Sequence, residues 1–321
     1  MINWGIIGLG NIGRKFFECF DFSNTEINLA GYASKSNSKK NSLISKNIQK
    51  FDSYEELIES KNIDAVYIST LNNLHKDLIL LALKNNKKIL CEKPLTINLK
   101  EAEEIRNCIK DKKDTLFEAI AYRSHPQTHS LKKILLDKDI GEVKKIESNF
   151  GFKIRKINKE SRLFKKEFGG GSILDLGCYP ISFFNLFLDK GNQPQIIESE
   201  VNYCETNVDI DAKILLKLND TIQAKAKVSL RENLQNNCKI YCDNATITVP
   251  EPWLPSSSTY IEIETKSRYY KEIIKSKLDS YASQLNLVSN VFKGKLKSEN
   301  YLVDIDESFK ISKTIDLWLK N

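Results

Sequence analysis

Three glycines near the start of the chain have the spacing of a loop that binds phosphate groups. Gly8, Gly10 and Gly13 form a G-x-G-x-x-G pattern between an apolar segment and a segment of helical periodicity. In such a loop the first glycine permits a tight turn, the second lets the backbone approach a pyrophosphate, and the third lets the helix pack closely. The unpaired amides where the helix begins, at Asn11 and Ile12, then face the phosphates. The pattern predicts a dinucleotide site, and the alternative is a glycine-rich turn without a ligand.

The residues at the end of the second predicted strand indicate which dinucleotide binds. Sites for NAD usually place Asp or Glu there, about 20 residues beyond the glycines. This sequence has no acid at that position, residues 33–36, which read Ala-Ser-Lys-Ser. Ser34 could donate to a 2′-phosphate and Lys35 could pair with it, so we predict that NADP(H) is preferred over NAD(H). The alternative is that Lys35 is one more solvated lysine.

A lysine follows the predicted strand Lys88–Glu92 at the place where an open α/β sheet binds its ligand. The carboxyl ends of parallel strands line that crevice, so Lys93 would lie near a nicotinamide, where an ammonium polarises a substrate oxygen. Glu92 could pair with Lys93 or orient a helix, and Pro94 would fix the turn. Most Glu-Lys-Pro triplets are surface turns, so this triplet is unspecific by itself.

A carboxyl and a phenol lie four residues apart after the glycine triplet at residues 169–171. That spacing would place Asp175 and Tyr179 on one helix face, although Pro180 favours a helix that begins near Tyr179. A tyrosine with its ordinary pKa of about 10 is a poor base at neutral pH, but a nearby ammonium such as that of Lys93 favours the phenolate. We predict that Tyr179 transfers a proton. The alternative is a core aromatic residue in the apolar run that follows.

Two successive patterns of elements must position these residues. Over about the first 120 residues, short apolar segments alternate with helical patterns, which predicts a parallel sheet with helices on both faces. The predicted elements are strands at Ile2–Ile7, Ile27–Ala33, Ala65–Thr70, Lys88–Glu92 and Thr115–Ala119, and helices at Ile12–Phe20, Tyr54–Glu59, Lys76–Asn85 and Leu99–Lys110. We therefore expect a doubly wound α/β Rossmann domain over residues 1–121.

After about residue 140, strand patterns follow one another with only short polar breaks, which favours an antiparallel sheet. The predicted elements are strands at Glu142–Phe152, Ile196–Tyr203, Asp211–Leu218, Ile222–Leu230, Lys239–Asp243, Thr246–Val249 and Tyr260–Thr265, and helices at Ile181–Leu188, Lys271–Phe292 and Glu307–Leu319. We expect an α+β domain with a mainly antiparallel open sheet over residues 122–321.

Composition argues against several classes of protein. The net charge of +7 comes from lysines spread along all 321 residues, without the basic face that a nucleic-acid binder needs. No run reaches the roughly 18 apolar residues that span a membrane, and the start of the chain lacks the charged region of a signal peptide, so we expect a cytoplasmic protein.

Seven scattered cysteines argue against a disulfide framework. The close pair Cys238 and Cys242 lacks a second ligand pair, so no metal site is expected.

The order of five motifs resembles the Gfo/Idh/MocA superfamily, which is named after glucose–fructose oxidoreductase and inositol dehydrogenase. The matching motifs are the glycine loop, the loop at residues 71–75 that ends in His75, the triplet Glu92-Lys93-Pro94, the segment Glu118…Arg123…His125-Pro126, and Gly-Gly-Gly-x-x-x-Asp-x-Gly around Asp175. Many members have His four residues after that Asp. Tyr179 stands there instead, which is similar to the branch of dihydrodiol and xylose dehydrogenases.

The resemblance implies an NAD(P)-dependent oxidoreductase that moves a hydride between nicotinamide and a sugar, a polyol or a related hydroxy or carbonyl compound. It implies that Lys93 sits beside the nicotinamide, often before a cis peptide bond, that Asp175 reaches the substrate, and that Tyr179 transfers the proton. Arg123 and His125 are expected to contact substrate. The expected cofactor contacts are Gly8, Gly10, Asn11, Ile12, Gly13, Ser34, Lys35, Thr70, Asn72, His75, Glu92 and Lys93.

The resemblance also implies that the second domain binds substrate and builds a homodimer or homotetramer. Two other functions stay open at this point. One is a sugar-nucleotide or other carbonyl reductase of the same superfamily. The other is a non-catalytic regulatory protein that senses NAD(P), although the presence of Lys93, Asp175 and Tyr179 together argues against a loss of chemistry.

Overall fold

The computed structural model describes residues 1–35, 48–109, 114–189, 191–298 and 301–320. The chain forms two units, of which the first contains Met1–Arg123 and Tyr281–Phe309, and the second contains Ser124–Ser280 and Lys310–Asn321. The expected division near residue 121 assigned everything after it to the second domain, whereas residues 281–309 pack with the first unit. Sequence patterns did not indicate this return of the chain because it depends on contacts between distant segments.

The strands and helices fall close to the predicted segments in most places. The strands are β1 (Ile2–Ile7), β2 (Ile27–Ala33), β3 (Gln49–Phe51), β4 (Ala65–Ile68), β5 (Lys88–Glu92), β6 (Leu116–Ala119), β7 (Val143–Gly151), β8 (Gln195–Tyr203), β9 (Asp209–Lys217), β10 (Gln223–Ser229), β11 (Cys238–Cys242), β12 (Ala245–Val249), β13 (Ser258–Thr265), β14 (Tyr269–Lys275) and β15 (Val303–Asp304). The helices are α1 (Asn11–Glu18), α2 (Tyr54–Glu59), α3 (His75–Lys84), α4 (Leu99–Ile109), α5 (Pro126–Ile134), α6 (Cys178–Phe184), α7 (Ser280–Phe292) and α8 (Ile305–Lys320). Lys110, the predicted end of α4, lies outside the described residues.

The sheet of the first unit has the strand order β15-β6-β5-β4-β1-β2-β3. Its neighbouring strands are parallel from β6 to β3, and β15 adds an antiparallel edge. The order 3-2-1-4-5-6 is that of a doubly wound dinucleotide-binding domain, so the predicted Rossmann fold is confirmed. All four residues of β4 are buried, as expected for a strand covered on both faces.

The sheet of the second unit has the order β14-β13-β12-β11-β7-β10-β9-β8. Only the β7–β10 pair is parallel among the strand pairs of this described sheet, which confirms the mainly antiparallel expectation. Burial alternates along β12, where every second residue is buried, so one face of the sheet is a core. Helix α6 packs against β7 on this sheet.

One predicted helix was wrong in its first part. The segment Tyr269–Lys275 is strand β14, which pairs with β13, and α7 begins only at Ser280. The amide of Thr265 donates to the carbonyl oxygen of Arg268 at 2.9 Å and closes a hairpin turn between the two strands. The aromatic and β-branched residues of this segment suit a strand, and the partner strand decides the outcome. None of the helices in the described parts of the chain is both long and apolar enough to cross a membrane.

Candidate active site

The loop between β1 and α1 has the geometry that a phosphate-binding loop needs. Gly8 has a φ of +92°, and a Cβ on Gly13 would lie 2.1 Å from the carbonyl oxygen of Gly8, so only glycine lets α1 begin this close to the strand. A Cβ on Gly10 would meet nothing within 4 Å. Asn11 and Ile12 are exposed at the start of the helix. The backbone here is open to a ligand and fits a dinucleotide pyrophosphate.

The two residues predicted to select the cofactor follow β2, beside this loop. The Ser34 hydroxyl oxygen accepts the amide hydrogen of Leu9 at 3.3 Å, which ties the end of β2 to the glycine loop. The Lys35 ammonium lies 5.3 Å from the ring centre of Tyr54, and the lysine is exposed. Ser36, the last residue of this predicted motif, lies outside the described residues.

The residues that follow β4 are tied to the glycine loop by a serine that the sequence did not single out. The hydroxyl of Ser69 donates to the carbonyl oxygen of Gly8 at 2.7 Å. Thr70 is half-buried and Asn72 is buried, both in the segment that the sequence predicted to contact the cofactor. No sequence signal marked Ser69, because its partner is 61 residues away.

The turn that carries Lys93 is held by buried side chains. The hydroxyl of Tyr67 donates to the carboxylate of Glu92. The Lys93–Pro94 peptide bond is cis, as the resemblance implied. His75 is fully buried, and its Nδ1 lies 3.0 Å from the carbonyl oxygen of Pro94. His75 therefore supports this turn, a role that its position in the sequence did not indicate, while its contact with the cofactor stays a prediction.

A buried carboxyl on the neighbouring strand β6 also contacts this turn. Oε1 of Glu118 accepts the amide hydrogen of Leu95 at 2.9 Å. Burial raises the pKa of Glu118 to about 7, and the negative charge of Glu307 adds to the rise, while the Ser308 hydroxyl, the Leu95 amide and the Lys93 ammonium oppose it. The sequence marked Glu118 only as part of a motif and did not indicate a role for it.

Arg123 and His125, two of the three residues predicted to contact substrate, have partners within their own units. The Arg123 guanidinium, 3% exposed, pairs with the Glu307 carboxylate at 2.7 and 3.2 Å. Nδ1 of His125 accepts the amide hydrogen of Gln127 at 3.1 Å and caps α5. Burial, together with the neighbouring His129, lowers the pKa of His125 to about 4, so His125 is neutral at neutral pH. Substrate contact stays a prediction for both residues. In the structure, Arg123 forms an ion pair within the first unit, and His125 caps a helix of the second unit.

In the second unit, Asp175 lies in a π-helical turn, Ile173–Gly177, that leads directly into α6. Its carboxylate is buried and accepts a hydrogen bond from Nη2 of Arg162 at 3.1 Å. Carboxylate oxygens such as those of Asp175 accept hydrogen bonds from guanidinium and hydroxyl groups. Arg162 belongs to a basic segment, residues 153–166, and no sequence pattern distinguishes it from the other cations there.

Tyr179 is the second residue of α6 and lies in an aromatic cluster. Its ring is 5.2 Å from that of Phe150 at an interplanar angle of 87°, and 6.0 Å from that of Trp253 at 54°. These edge and tilted contacts are the geometry that aromatic pairs prefer. Tyr179 is 8% exposed, so the cluster buries most of the residue.

A buried carboxylate anchors the segment that carries Asp175 and Tyr179. Asp209, at the start of β9, accepts the hydroxyl hydrogen of Ser172 at 2.7 Å and the amide hydrogen of Ile173 at 2.6 Å. Burial raises the pKa of Asp209, and these two donors oppose the rise. The sequence did not indicate this anchor, because the bonds join residues 36 and 37 positions apart.

Replacing Asp209 by alanine is expected to lower the free energy of unfolding by about 2–4 kcal/mol, because two buried donors lose their acceptor. Chemical denaturation followed by circular dichroism measures the change. The control is Asp220→Ala, which removes a carboxylate that is 95% exposed and should change the stability by less than about 0.5 kcal/mol. Equal stability of the two variants would show that Asp209 does not anchor the segment.

Comparisons with known proteins cover both units. Residues 2–120 match the family described as an oxidoreductase family with an NAD-binding Rossmann fold. Residues 128–248 match the GFO/IDH/MocA C-terminal domain. The N-terminal match contains the glycine loop and Lys93, and the C-terminal match contains Asp175 and Tyr179.

Named relatives are similar over most of the chain. A trans-1,2-dihydrobenzene-1,2-diol dehydrogenase of Xenopus tropicalis is 31% identical over 258 residues, which are 79% of this chain and 77% of that protein. A D-xylose 1-dehydrogenase (NADP(+)) of Haloferax volcanii is 26% identical over 83% of this chain and 80% of that protein. Both names belong to the tyrosine-bearing branch that the sequence resembled.

Solved structures share the fold. KijD10, a 3-ketoreductase from Actinomadura kijaniata in complex with NADP and TDP-benzene, superimposes with a TM-score of 0.84 at 21% identity, covering 98% of this chain and 96% of that one. An aldose-aldose oxidoreductase from Caulobacter crescentus gives a TM-score of 0.82 at 19% identity, covering 99% and 96%. With its two matched domains and its dehydrogenase relatives, this chain belongs to the GFO/IDH/MocA family of NAD(P)-binding oxidoreductases.

Proposed function

We propose that this protein interconverts a hydroxyl group of a cyclic diol or sugar and the corresponding carbonyl group, with NADP(H) as the preferred cofactor. The observation that carries the proposal is that one short helical segment holds both a buried, Arg162-bound Asp175 and, four residues later, Tyr179 in an aromatic cluster. An ionised carboxylate binds hydroxyl groups, and aromatic faces pack against the apolar face of a ring. The relatives named for a dihydrobenzenediol and for D-xylose support the same class of substrate.

The residues of the chain have separate parts in the proposed reaction. When bound, the nicotinamide accepts or supplies the hydride. In the oxidation, Tyr179 takes the proton of the substrate hydroxyl, and Lys93 stabilises the negative charge that develops in the transition state. Asp175 holds a hydroxyl group of the substrate and so orients the ring. The reduction uses the same groups in reverse.

A panel of substrates tests this function. The purified protein is incubated with NADP+ and trans-dihydrodiols, aldoses, polyols and their phosphates, and formation of reduced cofactor is followed by its absorbance. We expect reduction above background with at least one cyclic diol or aldose. Activity with none of them in either direction would contradict the proposal and favour a non-catalytic, cofactor-sensing protein.

The cofactor preference is tested at Lys35, which is proposed to pair with the 2′-phosphate. Replacing Lys35 by alanine is expected to raise the KM for NADP+ by roughly fivefold, the worth of an exposed ion pair of about 1 kcal/mol, and to leave the KM for NAD+ unchanged. Steady-state kinetics with both cofactors measures the change in each of the two KM values. The exposed Lys50 serves as a control through Lys50→Ala. A parallel change for both cofactors, or a wild-type preference for NAD+, would contradict this assignment.

The assembly and location are part of the same proposal. We infer a cytoplasmic homodimer or homotetramer that forms through the open sheet of the second unit and does not bind nucleic acid. In support, charges of opposite sign pair on the strands of that sheet, as in Lys213–Glu200 at 2.9 Å and Lys271–Glu262 at 3.0 Å, so its lysines do not form one basic face. A monomer by light scattering, or a salt-dependent gel shift with DNA, would contradict this part.

A further inference from the structure

The turn that carries Lys93 is held by three buried side chains from three different elements. Two of them, Tyr67 on β4 and His75 on α3, contact Glu92 and the carbonyl oxygen that follows Lys93, as described above. The third is Glu118 on β6, whose carboxyl accepts the amide hydrogen of Leu95. The proposed reaction uses none of these three residues directly.

Glu118 differs from the other two because its charge acts on Lys93. The carboxyl is 2% exposed, and the Lys93 ammonium is the positive charge that favours its ionised form. The negative charge of Glu307 opposes that form, although Arg123 pairs with Glu307 and reduces its effect. On the neighbouring strand β5, the buried thiol of Cys91 is kept protonated, because burial and the negative charges beside it raise its pKa. The buried Glu118 and the half-buried Lys93 therefore attract each other where water screens the charges less than it does at the surface.

We propose that Glu118 is a positioning residue for Lys93. Its carboxylate holds the turn at Leu95 and supplies a buried negative charge that keeps the Lys93 ammonium in place for the substrate oxygen. The structural part of this inference stands on the contacts within the first unit, and its effect on turnover rests on the function proposed above. A hydrogen bond to an ionised acceptor is roughly twice as strong as one to a neutral acceptor, so the ionised form of Glu118 holds the turn more firmly.

The positioning depends on pH because Glu118 titrates near neutrality. Burial raises the pKa of Glu118 to about 7, so the carboxyl is largely ionised at about pH 8 and largely protonated at about pH 6. Protonation removes the attraction to Lys93 and weakens the bond to Leu95. We expect kcat to fall about tenfold as the pH falls from about 8 to about 6, while the KM for NADP+ changes less than about twofold.

The first test is the pH profile of Glu118→Gln. The amide oxygen of glutamine can still accept from Leu95, so this variant removes the charge and keeps the shape. We expect a lower kcat without the inflection near neutrality. The matched control is Glu101→Gln, since Glu101 also accepts a backbone amide hydrogen, from Ile97 at 3.3 Å, but lies on helix α4. A Glu118→Gln variant that keeps the wild-type profile, or a wild-type kcat that rises toward acid pH, would overturn the inference.

The second test needs no substrate, so it remains decisive even if the proposed function fails. The folded protein binds the proton of Glu118 more tightly than the unfolded chain does, because the pKa is raised from 4.5 to about 7. Stability contributed by this group is therefore present below about pH 4.5 and is lost as the pH rises to about 7. Relative to the wild type, the melting temperature of Glu118→Gln should rise by several degrees between about pH 5 and pH 8. A difference that does not change with pH would mean that Glu118 is not the buried titrating group.

Discussion

Replacing Lys93 by methionine is expected to lower kcat by about 100- to 1000-fold, because the variant loses the charge that stabilises the developing oxyanion. Methionine keeps most of the length and apolar surface of the lysine side chain, so the fold should change little, and the affinity for NADP+ should fall much less than kcat. Steady-state kinetics with the best substrate of the panel measures kcat, and fluorescence titration measures cofactor binding.

The control for this variant is Lys100→Met, which makes the same change on the exposed face of α4. It should keep the wild-type kcat. If Lys93→Met retained more than about a tenth of the wild-type kcat, Lys93 would not be the group that stabilises the transition state.

Replacing Tyr179 by phenylalanine is expected to lower kcat by about 100-fold or more, because the variant keeps the ring and loses the group that transfers the proton. The ring contacts with Phe150 and Trp253 are also available to phenylalanine, so the variant should keep the aromatic packing of the cluster. An active Tyr179→Phe variant, with more than about a tenth of the wild-type kcat, would support the alternative of a core aromatic residue.

Tyr260→Phe is the matched control. Tyr260 lies on β13, and the Nζ atom of Lys271 is 4.1 Å from the centre of its ring. The double variant Lys93→Met/Tyr179→Phe adds a sharper test. The losses caused by two groups that serve the same chemical step are expected to be non-additive, so kcat of the double variant should fall far less than the product of the two single losses. Full additivity would mean that the two residues act independently.

The sequence predicted those features that depend on local patterns. The spacing of Gly8, Gly10 and Gly13 predicts a tight turn at Gly8 and a close approach of the following helix to the strand. Both are present in the structure. The alternation of strand and helix patterns also predicted the parallel sheet, because each pattern lies within its own short stretch of the sequence. The resemblance added the cis bond before Pro94, which no local pattern of this chain indicated.

The sequence did not predict features that depend on contacts between distant residues. Asp209 anchors a segment 37 residues upstream, and Glu118 contacts a turn 23 residues away. An isolated Asp or Glu in a strand pattern looks the same whether it is exposed or buried against a donor. The hairpin that makes Tyr269–Lys275 a strand is a similar case, because its partner strand and not its own periodicity decides its structure.

The basic segment 153–166 lies just before the glycine triplet at residues 169–171. Its lysines and arginines suit either a solvated loop or a segment that folds over a substrate pocket, and composition does not distinguish the two. The amide of Gly171 donates to the carbonyl oxygen of Leu163 at 2.9 Å, and Arg162 pairs with Asp175, so the end of this segment packs on the residues proposed to bind substrate. Arg162 thus belongs to the candidate site.

The most direct test of the central claim follows the hydride itself. The protein is incubated with NADP+ and a substrate from the panel that carries deuterium on the carbon to be oxidised, and the reduced cofactor is analysed by mass spectrometry and NMR. We predict one deuterium at C4 of the nicotinamide, with a rate that falls sharply in the Lys93→Met and Tyr179→Phe variants. Reduced cofactor without deuterium, or no reduction with any compound of the panel, would contradict direct hydride transfer by this protein.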